Sequence, residues 1–192
     1  MTLSKIRLLP AILFLAMAGS VLLVAQDTRT VVHHPATPAD AKPNSSAVPD
    51  GYAITGHFDR IVILRLKYKT DLLAGLDQMV KKENIRDGVI LAGIGSVRGY
   101  HLHQVGNRTF PVTDVFEKDP TQPADLVGMN GYITNGHVHA HVTLALPDRA
   151  IAGHLETGTQ VFTFAIVTVG VMNETGAANQ AGFTRLDDKN YR

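Results

Sequence analysis

The sequence predicts an α+β domain, a sheet of several strands, antiparallel apart from one strand–helix–strand crossover, packed by one main helix. Three observations predict it. Four runs rich in Val, Ile, Leu, Phe and Thr are bounded by Gly or Asp, as strands are. Only one segment repeats its apolar residues at spacings of three and four, as a helix does. That segment lies between the first two strand-like runs, which makes it a crossover onto a sheet rather than a member of a bundle.

The elements follow in chain order. Lys5 and Arg7 precede an apolar stretch from Leu8 to Ala25, broken only by Pro10, Gly19 and Ser20, the order of charge then apolar run found in export signals. Ala16, Ala18 and Ala25 offer cleavage points. The stretch also approaches the roughly 17–25 residues of a spanning helix, so residues 1–25 are read as a signal peptide or an N-terminal anchor. Membrane contact is expected only if this segment stays uncleaved. The rest is expected to be exported, periplasmic or extracellular. From Gln26 to Pro49 the chain turns polar and rich in breakers, with Pro35, Pro38, Pro43 and Pro49, and reads as a disordered linker in which His33 and His34 are solvated.

The folded domain is then Asp50 to Arg192. Ile61 to Leu66 is its first strand. Thr70 or Asp71 caps a helix carrying Leu72, Leu73, Leu76, Met79 and Val80 on one face, with Lys81 and Lys82 in its last turn where cations favour the helix dipole. Val89 to Ile94, Val138 to Leu146 and Val161 to Val171 complete the main strands. The last is apolar enough on both faces to be central in its sheet or covered by another copy of the chain. Asn173 to Ala181, full of Gly, Ala, Asn and Gln, reads as a loop before a short strand at Phe183 to Leu186.

Composition narrows the chemistry. The 192 residues include no Cys and no Trp, so disulfides, thiolate metal sites and Cys nucleophiles are absent. Any metal must be held by His and carboxylates. With 18 Lys+Arg against 17 Asp+Glu, and a domain that is itself slightly acidic, the chain lacks the basic excess of nucleic-acid and anionic-membrane binders. Gly93-Ile94-Gly95 is followed by more strand-like sequence and no helix N-terminus, so it reads as a point of close backbone approach rather than a phosphate loop. Ser96 lacks the flanking glycines of a nucleophile elbow.

The strongest chemical signal is Gly136-His137-Val138-His139-Ala140-His141-Val142-Thr143-Leu144. On a strand, alternate side chains share a face, so His137, His139 and His141 point one way and Val138, Ala140, Val142 and Leu144 the other. Same-face neighbours roughly 6.5–7 Å apart can converge on one ion. Gly153-His154-Leu155-Glu156 repeats the pattern beyond a turn at Pro147-Asp148-Arg149, and pairing the two strands brings His154 toward the His-x-His pair. Three neutral imidazoles suit zinc or another divalent metal; iron, nickel and manganese remain open. Glu156 fits three roles equally: a general base acting on metal-bound water, a fourth ligand, or a rim carboxylate paired with Arg149. Arg98, His101 and His103 are candidates for binding substrate.

Ile90-Leu91-Ala92-Gly93-Ile94-Gly95-Ser96-Val97, His139-Ala140-His141-Val142-Thr143-Leu144 and Ala152-Gly153-His154-Leu155-Glu156-Thr157-Gly158, in that order, resemble the plants-and-prokaryotes-conserved (PPC) domain family over nearly all of Tyr52 to Val171. The resemblance implies an α+β domain with a twisted, largely antiparallel sheet, a homotrimer and, in prokaryotic members, a surface cluster of three histidines able to hold zinc, at His139, His141 and His154; His137 has no firm counterpart. It also carries a DNA-binding label, because plant members join this domain to a basic, glycine-and-arginine-rich hook. That hook is missing here, and nucleic acid is not the expected partner. Three readings follow: a metal-binding domain that takes a small ligand at the metal, an enzyme that activates water there, and a DNA-binding or interaction module that uses no metal.

Overall fold

A computed structural model describes residues 28–37, 46, 48–173, 182, 185 and 186. Among these, eight strands and one helix run in the order β1 (Thr30–His34), β2 (His57–Lys67), α1 (Leu72–Lys82), β3 (Gly88–Val105), β4 (Asp114–Asp119), β5 (Ala124–Thr134), β6 (His137–Ala145), β7 (Ala150–Leu155) and β8 (Gln160–Asn173). All eight strands join one sheet, and every pairing is antiparallel. The expected α+β class with one main helix is what the described residues adopt.

The long strand β3 organises the sheet. Its first half pairs with β5 on one side and β8 on the other, and its second half pairs with β4 and β7. The path β3–β5–β6–β7 therefore returns to β3 and closes on itself. Register shifts along the β3–β8 ladder supply the bend that closure needs. Gly95 sits at one of them with φ +152°, and a Cβ there would collide with the Phe164 carbonyl oxygen. The Gly-x-Gly segment is thus a point of close backbone approach inside a strand.

Alternation sorts the side chains. Leu64 and Leu66 of β2, Ala140, Val142 and Leu144 of β6, and Val167 and Val169 of β8 all turn into one core. Helix α1 closes that core with Leu72, Leu76 and Val80. Asp71 caps it, accepting from the Ala74 amide at 3.0 Å, while its second carboxylate oxygen accepts from Gly158 N at 2.6 Å. One residue therefore fixes both the helix start and the β7–β8 turn beside the histidines.

Two expectations are corrected. Thr30–His34, read as linker, is a strand on β4, with Arg29 bonded to Glu117 at 2.8 Å and Thr28 to Asp119 at 2.6 Å. All five strand residues are exposed, so backbone pairing and two polar anchors order it rather than apolar burial. The short strand expected over 183–186 lies partly outside the described residues; Arg185 is helical and Leu186 is in a turn. The apolar N-terminal stretch and the loop expected over 174–181 also lie outside them. No helix among the described residues is long and apolar enough to cross a membrane.

Candidate metal centre

β7 lies between β6 and the far half of β3, and this placement builds the site. His154 is directly opposite His141 on β6 and directly opposite His103 on β3. His103 in turn faces Phe116 on β4, and His141 faces Asn130 on β5. One cross-strand row thus reads Phe116, His103, His154, His141, Asn130. His139 is two residues from His141 on the same face, opposite Tyr132.

His139, His141 and His154 offer ligand atoms that all lie within 4.8 Å of one another. The Nε2 atoms of His139 and His141 are 3.4 Å apart, and the His154 ring meets both of theirs edge-on, with centroids at 4.7 and 5.3 Å. A second set, His103, His154 and Glu156, meets the same spacing and shares His154 with the first. His103 Nδ1 and Glu156 Oε1 are 2.7 Å apart, and the His103 and His154 ring centroids 4.5 Å. Half-buried His154 is pushed down to about 4, first by burial and then by the neighbouring imidazoles of His103 and His139. His141 moves in the same direction, by desolvation and then by His139 and His103. Imidazoles held neutral keep a lone pair for a metal, so this donor set fits a divalent ion whose bonds to nitrogen are about 2.0–2.1 Å.

The other candidates separate. His137 is on the same strand face but does not belong to either close group among the described residues. His101 holds the Thr157 carbonyl oxygen through Nδ1 at 2.8 Å, one residue past Glu156. Arg98 is taken by Tyr68, donating to its hydroxyl at 3.2 Å with the guanidinium 5.6 Å from the ring centroid, and is not gathered with the histidines. Arg149 bonds Asp148 at 3.2 Å, while Glu156 bonds His103, so of the three roles open to Glu156 the rim pair with Arg149 does not form. Sequence reasoning missed Phe116, whose ring lies 4.9 Å from that of His103 and 4.3 Å from that of His34, and Tyr132. Tyr132 joins Val89, Asn130, His139, His141 and Leu186 around a cavity of about 420 Å³ that opens at His139 and His141.

Residues 53–173 match the model of the Plants and Prokaryotes Conserved (PCC) domain. The chain belongs to that family. Among solved structures, the PCC-domain chain is similar to a metal-containing protein from Archaeoglobus fulgidus, at 19% identity and TM-score 0.56 over 65% of this chain and 89% of that one. It is similar to a plant- and prokaryote-conserved protein from Pyrococcus horikoshii, at 23% identity and TM-score 0.52 over 64% and 87%. A Bacteroides thetaiotaomicron protein, provisionally described as DNA-binding, matches at 22% identity and TM-score 0.50 over 64% and 85%. These likenesses establish the fold. None of the curated proteins matches significantly.

Beneath the histidine face, this PCC domain carries a polar network on the opposite side of β3 and β4. The fully buried Tyr100 donates from its hydroxyl to Glu117 Oε1 at 3.0 Å, and Arg29 of the N-terminal segment reaches the same oxygen. Arg29 leads the causes that hold the Glu117 carboxyl below its ordinary range, while burial pushes the Tyr100 hydroxyl up. On the site's own margin, a Cβ at Gly131 (φ +151°) would strike the His139 carbonyl oxygen. Glycine there lets β5 approach β6 at His139.

Proposed function

We propose that this PCC-domain chain binds a divalent metal, with zinc the ion its donors suit best, through His139, His141 and His154, and takes a small ligand at the open coordination position. The observation that carries the reading is the convergence of three imidazoles from paired strands with their ligand atoms within 4.8 Å. Three protein ligands leave a tetrahedral ion one position for water or a ligand atom. The cavity beside them has a wall of Tyr132, Val89 and Leu186, which suits a ligand with an apolar body and a metal-seeking oxygen or nitrogen. The description of the Archaeoglobus fulgidus relative as metal-containing agrees with this reading.

Two further features belong to the proposal. The chain works as a homotrimer outside the cytoplasm, which the Lys5/Arg7-then-apolar leader supports for export. For assembly, the support is an uncovered apolar face on β2, β8 and β3. Ile63 is 69% exposed on edge strand β2, Ile61 lies beside it, and Ile94 and Phe162 extend the face. DNA binding is disfavoured by the nearly balanced charge, which offers little counterion release.

Cobalt(II) substitution tests the metal reading. The expected result is intense visible absorption of a four-coordinate site, absent from His139→Ala/His154→Ala and shifted by azide or acetate at the open position. Weak, six-coordinate-like absorption that is the same in the variant would overturn it.

A further inference from the structure

We propose that His103 and Glu156 form a second divalent-cation subsite that abuts the three-histidine site through His154. The proposal rests on the reading above only in sharing that residue. Its origin is the sheet topology: β7 is hydrogen-bonded to β6 on one side and to β3 on the other, so His154 has an imidazole directly across from it in both directions. A neutral imidazole has one free lone pair, so His154 shared between two ions is an imidazolate, its remaining N–H proton released to solvent as the second ion binds. On the β6 side the partners are His139 and His141. On the β3 side they are His103 and Glu156, whose ligand atoms with that of His154 also lie within 4.8 Å of one another.

The second set differs from the first in charge and in shelter. Its donors include a carboxylate, which offsets part of the repulsion between two neighbouring cations. Mixed imidazole and carboxylate ligation is within the range of zinc and of manganese. Glu156 and His103 are already held together at 2.7 Å, each about three-quarters buried at the side chain. Phe116 covers the far side of His103 at 4.9 Å between ring centroids. Glu156 is held from the backbone as well, its amide donating to the His101 carbonyl oxygen at 3.0 Å. The turn after it is pinned by Asp71 to Gly158 N. Both subsite residues therefore stand on fixed backbone, and small side-chain rotations bring them onto an ion with bonds of about 2.0–2.2 Å.

The competing role for this pair is to orient His154 without binding metal, as carboxylates and polar groups do behind many metal ligands. Loss of such support typically weakens metal binding about 10–100-fold and leaves the stoichiometry unchanged. Calorimetric titration of the intact, tag-free, metal-stripped chain with Zn²⁺ separates the two roles. The expected result is two equivalents per chain, the second about tenfold or more weaker through cation repulsion. His103→Ala/Glu156→Gln keeps one equivalent, and His139→Ala/His141→Ala keeps one as well. The single variants His103→Ala and Glu156→Gln, with circular dichroism as a folding check, stand in for a double variant that fails to fold. A wild type that saturates at one equivalent would overturn the subsite. So would a second equivalent that survives loss of His103 and Glu156, which would place it on another surface histidine. The three-histidine reading fails separately, if His139→Ala/His141→Ala keeps both equivalents.

Discussion

His154 is the residue on which the site turns, because it alone touches the imidazoles of both flanking strands. Its folded-state value of about 4 lies below the ordinary 6.5, so the unfolded chain takes up a proton first as the solution is acidified. Its contribution to stability is therefore complete above about pH 6.5 and is lost progressively as the pH falls toward 4. We predict that the metal-free His154 imidazole, followed by NMR, titrates well below the ordinary 6.5, and that His154→Asn flattens the decline of stability over that window. A midpoint at the ordinary 6.5 would contradict the burial assigned to His154. At this scale the sequence is informative: the period-two spacing of His139 and His141 and the position of His154 past a turn are enough to bring three imidazoles together. The place of His103 was hidden, since it depends on β3 pairing with β7 across a long separation in sequence that no local pattern reports.

At the scale of elements, the strands differ in how plainly the sequence announces them. β2, β6 and β8 are apolar and β-branched, and their alternation marks which face is buried. Helix α1 is equally plain, from its Asp71 cap to its lysines. β5 was not read as a strand because Gly128, Asn130 and Gly131 interrupt its pattern, although Gly131 is what lets it lie close against His139. β1 sits in a polar, proline-rich stretch that reads as linker, and nothing in it is buried; Thr28 and Arg29, just before it, attach it through Asp119 and Glu117. The anchor makes a prediction. Arg29→Ala removes a charged partner from the buried Glu117 carboxylate, lowering stability by about 1 kcal/mol or more and raising amide exchange over Thr30–His34. Unchanged exchange in that segment would show that β1 does not depend on this ion pair.

For the whole molecule, the closed circuit β3–β5–β6–β7 holds the histidines on rigid paired strands, while β2 stands at an edge with its outer residues uncovered. Exposed isoleucines on an edge strand are an aggregation hazard unless another chain covers them. Light scattering on the purified protein is expected to give three times the chain mass, and Ile63→Glu is expected to give single chains. A wild type of single-chain mass would remove the trimer from the proposal without touching the metal site, because His139, His141 and His154 all come from one chain. The most direct test of the metal centre is elemental analysis of the intact protein, purified without an affinity tag from its own compartment, beside His139→Ala/His154→Ala. The predicted result is at least one divalent metal per chain in the wild type and none in the variant; a metal-free wild type, or a variant with the same metal content, would contradict it.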